Sequence, residues 1–193
     1  GSGVGAIFGT SNALTMGGGG LLVNYNTTKA DLSITQTFNG VTLNPGASIV
    51  ASTKSNAAVG GASVLTLGAT TRNPGSTVTY SVTGTRDANE RVKITSSSWT
   101  ASTVITDSGV AYATAIGSTT ANTNFANMIG NDWATPNGSS LLLPLAFAPN
   151  YTASTATTLS GNADVSGAID TTLAANTAVT TLRFSNASAR TIT

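Results

Sequence analysis

The sequence predicts an all-β chain wound as a β-solenoid, with a β-sandwich as the alternative, and three observations lead there. Thr and Val, which suit strands, are abundant, whereas the helix formers Glu, Lys, Gln and Arg are scarce. Apolar and polar residues alternate with period two in short runs bounded by Gly, Asn and Pro. The third observation is a recurring pattern: VTLNPGASIVAS (41–52) and LTLGATTRNPGSTVTYS (65–81) both run apolar–Thr–Leu, then a loop closing in Asn-Pro-Gly, then an alternating strand. The two Asn-Pro-Gly turns, at Asn44 and Asn73, lie 29 residues apart. That spacing suits one unit of a stacked repeat, in which each unit buries its inward face only against the next. A sandwich would instead place a strand about every 8–12 residues.

Taken in order, Gly17–Gly20 leads into a strand at Leu21–Tyr25. Strict alternation predicts the next strand over Leu32–Phe38, closed by an Asn39-Gly40 turn. Val41–Leu43 and Ala47–Val50 flank the first Asn-Pro-Gly turn, and Val64–Leu67 and Ser76–Val82 stand on either side of the second. Residues 86–93 (RDANERVK) hold five of the fifteen Asp, Glu, Lys and Arg residues, which predicts a protruding charged loop near 85–93. Ile94–Ala115 alternates again. The segment near 122–140, where Phe125, Met128 and Trp133 gather, is expected to be irregular, with one short helical turn at Phe125–Ile129 or a loop packed over the core. A weaker echo of the repeat returns at Thr180–Phe184. The whole of 1–193 is expected to form a single domain.

Composition excludes much. Only 8% of residues are charged, the formal net charge is +1, and there is no His or Cys. Such a chain has no field to steer nucleic acid and no basic patch interleaved with aromatics. Without thiols, disulfide scaffolds and thiolate metal sites are excluded. No apolar run approaches the roughly 20 residues that span a bilayer, so no membrane insertion is expected. No initiator Met or signal-peptide pattern stands at Gly1, which is the expectation for a processed chain or a segment of a longer one.

Three segments resemble the autotransporter-associated β-strand repeat proteins, large bacterial surface polypeptides. They are GGGGLLVNYNTT through TQTFNGVTLNPGASIV (17–50), VLTLGATTRNPGSTVTYSVTG (64–84), and the order GNDWATPNGSS, NADVSG, TLRFSNASARTIT towards residue 193. The resemblance implies a right-handed parallel β-helix displayed outside the cell, with no enzymatic residues of its own. The chain departs from a whole autotransporter in lacking a signal peptide and a C-terminal membrane barrel of about ten-residue amphipathic strands.

Candidate sites are few. Paired carboxylates would be the route to glycoside cleavage. Of Asp31, Asp87, Glu90, Asp107, Asp132, Asp164 and Asp170, only Asp87 and Glu90 are close in sequence, and Arg86, Arg91 and Lys93 surround them. That reads as a solvated ion-pair cluster, so no enzyme is expected. No repeated acidic turn suggests calcium, and no Gly-Lys-Ser/Thr follows Gly17–Gly20, so neither metal nor cofactor is expected. Ser and Thr hydroxyls lack a His base and read as polar ladders on strand faces. Trp99 and Trp133, with Tyr112 and Tyr151, are candidate glycan contacts, weighed against their use as core or cap residues. Four Asn-X-Ser/Thr sequons, at Asn26, Asn137, Asn150 and Asn186, are what chance supplies in so polar a chain.

Both ends read as if cut mid-repeat: SARTIT followed by GSGVGAIFG would continue the pattern. Copies stacking end to end, in a filament or as tandem units, would therefore use Gly1, Val4, Ile7, Phe8, Arg190 and Ile192. The functional expectation is an extracellular structural protein at a bacterial cell surface. An adhesin or glycan-binding module is the alternative, and a carbohydrate-active enzyme is the second.

Overall fold

Period-two alternation buries every second side chain, and the computed structural model, which describes residues 8–25, 33–54, 62–84, 92–101, 103–117, 131–136, 142–144, 151–153, 158–165, 172, 177–184 and 191–193, is all-β, with no helix among them. Nine strands come first: β1 (Leu14–Met16), β2 (Gly19–Tyr25), β3 (Ile34–Thr37), β4 (Val41–Leu43), β5 (Gly46–Lys54), β6 (Ser63–Thr66), β7 (Thr70–Arg72), β8 (Ser76–Gly84) and β9 (Val92–Thr95). They fall into three consecutive triplets, and each triplet gives one strand to each of three sheets. The order β1-β4-β7 makes one sheet, β3-β6-β9 a second, and β2-β5-β8 runs side by side in a third. All these pairings are parallel.

The register repeats the sequence period. Ile34 stands opposite Ser63 and Ser63 opposite Val92, in steps of 29 residues. Side chains stack at the same interval: Asn73 Nδ2 donates to Asn44 Oδ1 at 2.8 Å across the two Asn-Pro-Gly turns, and Thr53 Oγ1 donates to Asn24 Oδ1 at 2.8 Å. Inward rows such as Leu21–Val50–Tyr80–Ala115 make the core, where a large ring in one rung sits beside a small side chain in the next. Outward rows carry threonines, including Thr15–Thr42–Thr71 and Thr37–Thr66–Thr95.

After β9 the repeat breaks. A two-stranded antiparallel hairpin forms from β10 (Thr106–Asp107) and β11 (Val110–Ala111), turning through Ser108 and Gly109, which both have positive φ. Strand β12 (Ala113–Gly117) rejoins the long sheet in parallel to β8, but β13 (Asn131–Pro136) and β14 (Leu142–Pro144) extend it antiparallel. A separate parallel sheet collects β15 (Thr152–Ala153), β16 (Asn162–Val165) and β17 (Thr181–Phe184). It buries Leu159, Ala163 and Val165 as a second small core.

Several expectations meet these observations. Within the stretch near 122–140 expected to be irregular, Asn131–Pro136 form β13, and the helical turn at Phe125–Ile129 lies outside the described residues. Most of the charged loop at 85–93 also lies outside them, while its last two positions, Val92 and Lys93, belong to β9. The echo at Thr180–Phe184 is a strand, but it pairs at a 19-residue step in another sheet, with Asn162 opposite Thr181.

The corner before each outer rung is a close backbone approach. At Gly68 (φ +66°) an added Cβ would stand 2.5 Å from Gly40 N and 2.8 Å from Phe38 O. Gly68→Ala is expected to cost roughly 2–4 kcal/mol, since backbone strain adds to a displaced rung. Gly109→Ala, with positive φ but nothing within 4 Å, is expected to cost only about 1 kcal/mol. Urea denaturation of the two variants beside the parent checks the difference.

Candidate functional site: an open sheet edge

The strands β1, β2 and β3 are each the terminal strand of their sheet, so the first triplet presents three edges at one end of the stack. Natural sheets blunt such edges with charge, proline or a covering element. The longest of the three, β2, reads Gly-Gly-Leu-Leu-Val-Asn-Tyr, with neither charge nor proline, and Leu22 on it is 61% exposed. The inward positions of this end are apolar too: Leu14 and Met16 on β1, Leu21 and Val23 on β2.

A cavity of about 490 Å³ opens here, lined by Phe8, Ser11–Leu14, Leu21 and Phe38. Phe8 lies over it, its ring 6.0 Å from that of Phe38, and remains 49% exposed. Its backbone is held by Gln36, a side chain only 1% exposed on β3. Phe8 N donates to Gln36 Oε1 at 3.0 Å, and Gln36 Nε2 donates to Phe8 O at 3.3 Å and to Thr37 O at 3.0 Å. The carboxamide thus meets both backbone groups of one residue, as a neighbouring strand would.

The other end differs in chemistry. On β7 the inward positions that hold Leu14–Val41 and Met16–Leu43 in the earlier rungs are taken by Thr70 and Arg72. Ser98 Oγ accepts from Thr70 N at 3.0 Å, closing part of the β7 edge. Arg72 pairs with Asp107 at 3.4 Å, donates through Nε to Ser76 O at 3.1 Å, and lies 5.3 Å from the centre of the Tyr112 ring. A partly buried cation with carboxylate, carbonyl and ring as partners ends this sheet, whereas apolar residues begin it.

Of the end residues proposed for self-assembly, the structure places Phe8 at the open edge. Ile192 packs against the second core, around Leu159, Ala163 and Val165. Gly1, Val4, Ile7 and Arg190 lie outside the described residues. Trp99 packs edge-on to Tyr80, ring centres 5.2 Å apart, and Trp133 stands opposite Thr114 in the β12–β13 pair. Reasoning from sequence missed Leu14, Leu21, Gln36 and Phe38 as edge residues. Their signal was the strand phase: each sits at an inward-phased position of the first triplet, whose strands are terminal in their sheets among the described residues.

The carboxylates also gather in a way that spacing did not reveal. Asp87 and Glu90 lie outside the described residues, but Asp132 and Asp164 meet on one guanidinium. Arg183 Nη2 donates to Asp164 Oδ2 at 2.6 Å, and Nη1 donates to Asp132 Oδ2 at 3.4 Å. The Asp132 Oδ1 atom accepts from Tyr151 OH at 2.7 Å and from Trp133 N at 2.8 Å. Arg183 also sits 3.8 Å above the Tyr151 ring centre. Its hydrogen bond to Asp164 raises the pKa of the guanidinium, and burial followed by the bond to Asp132 pushes the Tyr151 hydroxyl above its ordinary range. An acid–base pair needs a carboxyl open to a substrate oxygen. Here Asp164 is 9% exposed and Asp132 has three donors, so the group works as a clasp between β13 and the sheet of β15–β17. Among the described residues no three Asp or Glu side chains come together in a metal-holding group.

Comparison of the chain with protein-family models, curated proteins and solved structures finds no match.

Two predictions concern these charged groups. Arg183→Met takes the guanidinium from a nearly buried carboxylate, and a loss on the order of 2–3 kcal/mol is expected, below the value for a fully buried pair because Arg183 is 31% exposed. Hydrogen exchange should quicken in β15–β17 more than in β4–β6. The second concerns pH. Burial raises the pKa of Tyr80, Tyr112 and Tyr151. The folded state therefore keeps phenol protons that the unfolded chain releases from about pH 10. Their contribution to stability is complete below about pH 10 and is lost as pH rises further, which thermal melts from pH 7 to 11 will display.

Proposed function

We propose that the chain is a unit of an extracellular structural assembly, built as a right-handed parallel β-helix that joins copies of itself end to end. The observation that carries this reading is the shared open end: three sheets terminate together in β1, β2 and β3, beside a cavity whose apolar lining is Phe8, Ala13, Leu14, Leu21 and Phe38. The parallel pairing of the first nine strands across three sheets, in steps of 27 to 30 residues, favours the β-helix over a sandwich, whose sheets are antiparallel. A strand from another copy continues the ladder by pairing with β2, the way extended segments add to exposed edges. The opposite terminal strand of this sheet is β14, so a contact that joins β2 to it is heterologous, between unlike edges, and a contact of this kind propagates into a fibre. The weakly charged, cysteine-free composition suits a setting outside the cell, at a bacterial surface, where neutral hydrogen bonds and apolar stacking are insensitive to salt.

Leu22→Lys tests the reading without touching the core, since this side chain faces solvent on the edge strand. Concentrated parent protein is expected to form fibres with a regular axial repeat under negative-stain electron microscopy. The Leu22→Lys variant should remain as single particles, because a charge on the edge opposes further pairing. Parent protein that sediments as a monomer at high concentration would sink the proposal.

A further inference from the structure

Away from the open end, two cavities flank the segment Thr103–Thr106. One, of about 140 Å³, includes Ser98, Trp99, Thr100 and Tyr112 in its lining; the other, of about 370 Å³, includes Gly109, Asn162 and Thr180. Both touch Thr103, Val104 and Thr106. The segment is anchored from beneath: Val104 and Ile105 are buried, and Ile105 N donates to Ala134 O at 3.0 Å. Thr103 and Thr106 stay exposed between the two cavities.

The chemistry of these walls is uniform. Hydroxyls, one carboxamide, two aromatic side chains and the apolar Val104 and Ile105 line them, and no lining residue carries a formal charge. The nearest carboxylate in sequence, Asp107, is engaged by Arg72 at 3.4 Å. A charged ligand entering here would give up hydration for no countercharge. A ligand dense in neutral hydroxyls loses little, since each wall hydroxyl both donates and accepts. The aromatic side is pre-set, because Trp99 is held edge-on against Tyr80 with planes at 73°, and it is only partly buried. The indole N–H of Trp99 is buried without a hydrogen-bond partner among the described residues, an unmet donor in the wall of the smaller cavity.

We infer that this surface is a binding groove for a neutral oligosaccharide, which lies across Thr103–Thr106 from the Trp99–Tyr112 cavity to Asn162 and Thr180. The groove shares no residue with the open edge. It uses Trp99, and Trp133 lines neither cavity.

The test titrates the full chain with cellohexaose, chitohexaose and maltohexaose, and with hexameric oligogalacturonate as the acidic counterpart, following tryptophan fluorescence. At least one neutral hexasaccharide is expected to bind saturably with a fluorescence change. That change should persist in Trp133→Phe and vanish in Trp99→Phe. Since Trp99 also packs on the core, the decisive variants are Thr103→Val and Thr106→Val, both at exposed positions. Each should weaken binding about three- to tenfold, the value of one lost hydrogen bond. The circular-dichroism melt should stay unchanged in Thr106→Val, whereas Thr103→Val also gives up the 2.8 Å bond that Thr103 Oγ1 donates to Thr100 O and lowers it slightly. Three results would overturn the inference: no neutral saccharide binding up to roughly 10 mM, the weak limit of specific recognition; binding of oligogalacturonate alone; or neutral binding that neither threonine variant alters.

Discussion

Every inward side chain in the first nine strands is covered by an inward side chain one rung away, and the molecule depends on that constraint. A single triplet of strands of three to nine residues has no second layer to close against. Its core exists only because the next triplet arrives in register, in steps of 29 residues where β3, β6 and β9 pair. Apolar stacking and backbone ladders then point along one axis, and the long-range order of the chain follows from a local period.

The same constraint explains the turns. Rungs about 4.8 Å apart leave no room for a Cβ where one corner crosses another, which is why Gly68 stands over Gly40 and Phe38. Asn44 and Asn73 fill the opposite need, since a carboxamide has a donor for the rung on one side and an acceptor for the rung on the other. Hydroxyl rows on the outer faces use the same geometry with weaker groups. Each contact is small, but each also opposes slippage of the ladder, because a shift of one residue would turn all of them to the wrong face.

A stack of this kind must end somewhere, and the two ends solve the problem differently. At β7 polar residues replace apolar ones at the inward positions, and Arg72 is satisfied by Asp107, Ser76 and Tyr112. Around it the long sheet changes from parallel to antiparallel at β13, and Arg183 fastens a second sheet to that strand. At β1 and β2 the inward positions stay apolar, and on β3 the buried Gln36 binds both backbone groups of Phe8. The two ends are therefore chemically unlike, apolar and exposed at β1 and β2, and polar with an ion pair at β7.

Sequence alone determined the all-β class, the strand phase from Leu21 to Val82 and the 29-residue step, because alternation and Asn-Pro-Gly turns are local signals read from neighbouring residues. It also determined what chemistry is absent, since histidine and cysteine cannot be supplied by folding. Which residues meet was decided by tertiary structure. Asp132 and Asp164 look isolated in the chain, yet both reach Arg183 through a strand pairing that no local pattern encodes. Phe8 and Gln36 are 28 residues apart and become partners only where the stack runs out of rungs. The echo at Thr180–Phe184 shows the limit from the other side: its alternation is enough to make a strand, but alternation does not say which sheet the strand will join. Periodicity fixes a side chain's face, whereas its neighbours across rungs depend on how many residues the intervening loops take up.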